Sequence, residues 1–395
     1  MLLVAAAMVS IQPQHGFDPE RLARIPQRMR AYVEAGGIAG AVTYVSRHGR
    51  VVLFDAQGYA DLEAKLPMRR DTIFQIMSMT KPVTALAVAL LAEDGLLNLD
   101  DPLERHLPQF RDLKVRNSDG QLVAPRRRLT LRHLLTHTGG LGSNDPAGLD
   151  DDAKRKLILA EYTDLLAAEP LLAEPGEAIR YSGPGFALLG RVVEVVSKRT
   201  LDVFMRERIF QPLGMRDTHF FLPDANRNRL ARMYLPAERG LTPLDEDPFR
   251  TGARFANPAG GLYSTASDMA KLIECMASGG KAGFHAGSGA SGGRRLLSPA
   301  MIEAMTTVQT GSLLMDGSEA QGVGLGFMVV KSGVGQAHLK PVGSFGHIGA
   351  FGTEFWCNPK TGLVAVFMVQ GWGEAERARK TFNTLVNAAF ERPHE

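Results

Sequence analysis

The sequence predicts an α/β (α+β) fold: one antiparallel sheet built from both ends of the chain and flanked by helices, with a mainly helical lobe inserted between its halves. Three observations carry that prediction. Strand and turn patterns occur near residues 38–54 and again over 351–369. The segment between them is mainly helical in its periodicity. The chain has 395 residues, 45% hydrophobic and 22% charged, which is enough apolar material for one or two closely packed domains. The expected organisation is an N-terminal extension over 1–16, an α/β domain over 17–82 and 320–395, and a mainly helical domain over 83–319.

Met1 to Val9 is apolar but lacks a preceding basic segment and a clear cleavage site. An extension on a cytoplasmic protein is therefore preferred to a secretory signal, and the stretch is too short to span a bilayer. Asp18-Pro19-Glu20 is a helix start, with Asp as N-cap and Pro at the first helical position, and Gly36-Gly37 ends that helix after Glu34. Ile38–Tyr44 and Val51–Phe54 read as strands around the turn Arg47-His48-Gly49-Arg50. A helical pattern runs from Thr80 to Ala92. Thr130–Leu135 reads as a short helix, and Lys156–Ala168 and Gly185–Ser197 as longer ones. Ala277–Gly293, rich in Gly, Ala and Ser, reads as a mobile surface loop. Phe351–Cys357 and Leu363–Val369 form a second hairpin around Asn358–Gly362, and a helix over Glu374–Phe390 closes the chain.

Charge and cysteine content narrow the function. The formal net charge is +3, from 45 basic and 42 acidic residues, and the only dense basic run is Arg126-Arg127-Arg128. That is a solvated face, not a nucleic-acid footprint. Cys275 and Cys357 stand far apart without companion ligands, which fits two buried thiols and not a zinc site or disulfide framework. No metal, no cofactor and no membrane association are expected, and oligomeric state is left open.

The most informative tetrad is Ser78-Met79-Thr80-Lys81. On a helix, residues three apart share a face, so the lysine amine can reach the serine hydroxyl. A free lysine titrates near about 10.4 and is charged at neutral pH. Burial lowers that value, and the neutral amine can then take the serine proton. Pro82 is comfortable only if the helix begins about there, which places Ser78 at a helix N-terminus where free amides favour developing negative charge.

Two further features lift the tetrad above chance. Tyr181-Ser182-Gly183 precedes an apolar helix, and a tyrosine there can point into a cleft. His347-Ile348-Gly349 precedes Ala350-Phe351-Gly352, and amides on such a glycine-rich strand can lie close to a substrate. Together with Leu131–Leu141 (Leu-Arg-His-Leu-Leu-Thr-His-Thr-Gly-Gly-Leu) and Pro258–Met269, these resemble the serine β-lactamase-like family of the penicillin-binding protein fold. They are closest to class C β-lactamases and family VIII carboxylesterases, over about residues 17–390.

The resemblance implies a β-lactamase/transpeptidase-like fold and an acyl-serine mechanism. Ser78 matches the acylated serine, Lys81 its partner and Tyr181 the tyrosine of Tyr-x-Asn. His347-Ile348-Gly349 takes the place of Lys-Thr-Gly, and the amides of Ser78 and Ala350 are expected to form the oxyanion hole. Gly183 and His347 depart from the pattern, since Gly183 stands where Asn binds an acylamide and His347 where Lys meets a carboxylate. Gly183, His347 and Gly349 are the expected substrate-binding positions. The implied activity is hydrolysis of short carboxylic esters, with weak β-lactam turnover left open. The alternatives are a class C-like β-lactamase or D-Ala-D-Ala peptidase, an acyltransferase, and an inactive penicillin-binding-like receptor. Whether Lys81 or Tyr181 is the base stays open here.

Other motifs are read as incidental. Gly289-Ala290-Ser291-Gly292-Gly293 spells a nucleophile elbow, but no strand precedes it. His137 is given a turn-stabilising or packing role, Gly322–Gly326 is no phosphate loop, and Tyr44, Trp356 and Trp372 are assigned to the core.

Overall fold

The computed structural model of the protein describes residues 15–238, 240–244, 252–254, 256–282, 295–333 and 339–391. Most of the N-terminal extension lies outside this set, as do the nucleophile-elbow look-alike at 289–293 and most of the expected Ala277–Gly293 loop. Eight strands form one sheet, in the spatial order Gln321–Val323, Met328–Val330, Phe345–Ile348, Glu354–Asn358, Leu363–Val369, Gly40–Arg47, Arg50–Asp61 and Leu66–Pro67. All pairings are antiparallel. The two ends of the chain meet in the middle, where Ala41 pairs with Val369 and Arg47 with Leu363.

The sheet is covered on both faces, and the strand pattern shows it. Along Leu363–Val369 every residue is buried. Leu363, Ala365, Phe367 and Val369 pack with the terminal helices Pro19–Glu34 and Glu374–Ala389. Val364, Val366 and Met368 face the other way, into the core shared with the helical lobe. Alternation of side chains along a strand makes this two-sided burial automatic.

Local chemistry sets the element ends. Asp18 accepts from the amides of Glu20 and Arg21 and starts the first helix. His48 and Gly49 both have positive φ, 48° and 74°, which gives the primed two-residue turn that fits strand twist. The expected helix over Lys156–Ala168 is instead two helices, Asp151–Lys156 and Leu159–Leu166. Glu161 accepts from the Ile158 amide at 2.8 Å and starts the second helix there. The second hairpin begins at Glu354, not Phe351, because Gly352 (φ 89°) donates to the Gly349 carbonyl at 3.0 Å and closes a turn over 349–352. Arg126, Arg127 and Arg128 are exposed, and both cysteines are buried free thiols. Among the described residues no helix is long and apolar enough to cross a membrane.

The centre of the lobe is the helix Thr80–Glu93, buried at every position from Thr80 to Leu91. A helix with no polar face belongs inside a protein. Gly326 lets the chain cross it closely, since a β-carbon there would meet Ala85 Cβ at 2.3 Å. Close packing is thus what the Gly322–Gly326 run provides.

Candidate active site

Ser78 lies in a 3₁₀ turn, Met77–Met79, that runs directly into the buried helix. Met77 is held at φ 48°, a left-handed backbone that costs a β-carbon-bearing residue about 1–3 kcal/mol. The segment after Pro258 holds this turn in place. Leu262 accepts from the Ile76 amide at 3.0 Å and donates to Thr80 Oγ1 at 3.1 Å, and Thr84 Oγ1 donates to the Pro258 carbonyl at 2.8 Å. Phe74–Gln75 also pairs with Tyr263–Ser264.

Lys81 follows one turn later. Its Nζ is 3.0 Å from Ser78 Oγ and donates to the Ala259 carbonyl at 2.8 Å. The side chain is buried without an ion-pair partner among the described residues, and that desolvation pushes its pKa down to about 7. The ring of Tyr181 lies over the amine, with its centroid 4.7 Å from Nζ, and Phe186 stands at 5.9 Å. Burial pushes the Tyr181 phenol up to about 12, outweighing its hydrogen bond with Ser78, which lowers it. A phenol in that range stays protonated at any ordinary working pH.

His347 stands at the far side of the same cluster, 6.1 Å from Tyr181 between ring centroids. Its Nδ1 lies against the backbone of Ile348, and its Nε2 is buried with no hydrogen-bond partner among the described residues. Burial, reinforced by the charge of Lys81, pushes its pKa down to about 3, so the imidazole is neutral. Gly349 packs against Ile76, just before the Met77–Met79 turn, and Ala350 occupies the second position of the turn over 349–352. The Trp372 indole donates to the Ala350 carbonyl at 2.9 Å. Gly183 opens the helix Gly183–Ser197, and a β-carbon there would meet only Ala259 Cβ, at 3.8 Å. Beside Tyr181 opens a recess of about 720 Å³, lined by apolar residues such as Leu141, Leu166 and Leu172 and by the charged Asp145, Glu169 and Arg180.

The structure therefore brings Ser78, Lys81, Tyr181 and His347 into one cluster and stacks Gly349 behind it. Two residues stand differently from what their sequence surroundings suggest. Trp372 is not core, because it is 50% exposed with its ring against Phe351. Its tight neighbours Gly371 and Gly373 are the only hint of this in the sequence. His137 is buried, as expected of a packing residue, but it lies directly on Tyr181, with ring centroids 4.5 Å apart.

A Ser-x-x-Lys pair with a buried lysine at the foot of an antiparallel sheet, capped by a tyrosine from a helical lobe, defines a protein of the β-lactamase/transpeptidase-like fold. The chain belongs to the Beta-lactamase family, whose model matches residues 25–389. It is 30% identical to Protein Rv1367c of Mycobacterium tuberculosis over 370 residues, covering 87% of this chain and 88% of that protein. It is 37% identical to Esterase EstB of Burkholderia gladioli over 267 residues, covering 60% and 66%. The solved structure of EstCE1, a hydrolase with promiscuous acyltransferase activity, matches with a TM-score of 0.79 at 28% identity, covering 94% and 99%. Simvastatin synthase LovD from Aspergillus terreus shares the fold, with a TM-score of 0.77 at 22% identity, covering 94% and 99%. The family and these relatives make the protein one of a group of β-lactamase-fold hydrolases.

Proposed function

We propose that the protein is a serine carboxylesterase that hydrolyses short carboxylic esters through an acyl-Ser78 intermediate. The observation that carries this reading is the 3.0 Å contact between Ser78 Oγ and a buried, uncompensated Lys81 amine. An amine titrating near 7 is largely neutral at mildly alkaline pH and can accept the serine proton as Oγ attacks the ester carbonyl. The phenol of Tyr181, protonated and hydrogen-bonded to Ser78, is suited to donate a proton to the leaving alkoxide. Lys81 is thus the base and Tyr181 the acid of the first step. The ester carbonyl oxygen becomes the oxyanion. First-turn amides lack intrahelical acceptors, and the Ala350 amide has no acceptor among the described residues, so the amides of Ser78 and Ala350 are assigned to hold it. Lys81 then returns its proton to the Tyr181 phenolate. Water next gives a proton to the neutral Lys81 as it attacks the acyl-serine, and that proton passes to Ser78 Oγ as the carboxylic acid leaves.

Esters are favoured over β-lactams and peptides by what the cluster lacks. A neutral, buried His347 offers no cation to a substrate carboxylate, and Gly183 offers no amide to an acylamide group. Esterase EstB, by its name, supports the same reading. The acyltransferase activity of EstCE1 favours a second outcome, in which an alcohol replaces water as acceptor.

The test is intact-protein mass spectrometry with turnover of a short p-nitrophenyl ester, with and without added alcohol. Wild type should acylate and turn over, and Ser78→Ala should do neither. Full activity in Ser78→Ala, or an inert wild type, sinks the assignment, and faster turnover of nitrocefin than of the ester moves it to a β-lactamase. Ester product containing the added alcohol identifies transfer.

A further inference from the structure

We infer that His137 is a positioning residue for Tyr181, clamping the phenol over Lys81 by accepting the backbone amides on both sides of it. The Arg180 amide donates to the His137 carbonyl at 2.7 Å, and the Ser182 amide donates to His137 Nδ1 at 3.1 Å. Tyr181 is the residue between them. The imidazole lies on the Tyr181 ring at 4.5 Å and on Phe186 at 5.1 Å, so one side chain fixes both the backbone and the ring plane of the tyrosine.

Packing alone does not account for this arrangement. His137 holds φ 58°, a left-handed backbone that only a few per cent of non-glycine residues adopt, Asn, Asp and His most often. That conformation aims the carbonyl and the ring at neighbouring amides of one segment. Because Nδ1 accepts, the ring proton sits on Nε2. The titratable groups around it are Lys81, His347 and Tyr181. Burial, then the charges of Lys81 and His347, push the His137 pKa well below its ordinary value and keep the ring neutral. A protonated ring would turn Nδ1 into a donor facing the Ser182 donor and would set a second cation near Lys81.

The inference rests on the esterase reading only in making Tyr181 part of the proton path. The test measures ester acylation rate against pH, together with thermal midpoint, for wild type, His137→Phe and His137→Asn. Phenylalanine keeps a ring but removes the acceptor. Asparagine tolerates the left-handed backbone and offers an oxygen where Nδ1 stood. A displaced Tyr181 should lower the His137→Phe rate on the order of 10²-fold, as a misplacement of about 1 Å does. KM should change little. Water reaching Lys81 should also move the acidic limb of the profile upward from about 7. His137→Asn should recover most of the rate and restore the limb. A His137→Phe enzyme with wild-type rate and limb overturns the inference, and so does one that only loses stability while its limb stays in place.

Nitrogen-15 NMR of wild type tests the same point without turnover, and stands even where a variant does not fold. A His137 signal that stays neutral and Nε2-protonated into mild acid supports the clamp. One that titrates in the ordinary histidine range, or carries its proton on Nδ1, overturns it. Should wild type never acylate, the esterase reading falls and this spectrum still decides the role of His137.

Discussion

Gly349 lies so close to Ile76 that a β-carbon on it would come within 2.5 Å of the Ile76 carbonyl oxygen and 2.2 Å of Thr353 Oγ1. The last strand segment before the Ala350 turn is thus seated on the residue two places before Ser78. Only glycine permits that seat. Gly349→Ala should push the Ala350 amide away from Ser78 and lower kcat by roughly 10²-fold. Overpacking should also cost about 1–3 kcal/mol in stability. Steady-state kinetics and thermal melts check both, and a Gly349→Ala enzyme with wild-type kcat would show that the seat is not needed.

The buried Lys81 makes a statement about stability as well as rate. Its amine titrates near 7 in the fold, against an ordinary value near about 10.4 in an unfolded chain. Between those values the unfolded chain binds more protons, so stability rises with pH across the window. The cost of the buried ammonium is complete below about 7 and fades toward the alkaline end. Lys81→Met should abolish turnover while raising stability at neutral and acidic pH, on the order of a few kcal/mol, with the gap closing as pH climbs. A pH series of denaturant melts reads this directly. Lower stability for Lys81→Met below neutral pH would contradict it.

Trp372 is half exposed, yet its indole N–H is fixed on the Ala350 carbonyl at 2.9 Å. Trp372→Phe keeps an aromatic face against Phe351 and removes only the donor. Little stability should be lost, on the order of 1 kcal/mol for one hydrogen bond. The turn bearing the Ala350 amide should loosen, and kcat should fall about tenfold with KM nearly unchanged. A proportional rise in KM with constant kcat would instead make Trp372 a binding surface.

The space beside Gly183 is open, since the nearest atom a β-carbon there would meet is Ala259 Cβ, at 3.8 Å. Gly183→Asn should therefore fold normally and add an amide at the mouth of the cluster. Turnover of an acylamino β-lactam relative to an ester should increase, by about tenfold if one well-placed hydrogen bond forms. The ratio of nitrocefin to p-nitrophenyl ester rates measures it. An unchanged ratio would mean that Gly183 does not set the preference.

Local signals explain why so much is legible in the sequence. Asp18-Pro19 marks a helix start, His48-Gly49 a hairpin, and the strongly apolar stretch from Val83 to Leu91 a buried helix, each through contacts a few residues long. The order of Ser78, Tyr181 and His347 supplies the rest, because a family pattern encodes long-range proximity that propensity does not. What stays hidden depends on distant partners. Glu354 is buried with Lys340, Arg379 and Asn383, and Glu274 accepts from both Tyr44 and Ser46. No spacing announces such pairs. The role of His137 is hidden for the same reason, since its partners lie on the Arg180–Ser182 segment. Trp372 misleads because an aromatic residue after a core strand is ordinarily buried, and the turn at Gly371–Gly373 carries it outward instead.

The central strand pair joins opposite ends of the polypeptide, with Ala41 beside Val369. On the ribosome, Ser78 and Lys81 emerge long before the strand that completes the sheet and the turn that carries Ala350. Until then the first hairpin presents an unpaired edge to its surroundings, the kind of surface chaperones exist to shield. Pairings of such long sequence separation also form slowly. A chain cut before the 349–352 turn would keep Ser78 and Lys81 but lack the Ala350 amide and the strand that completes the sheet.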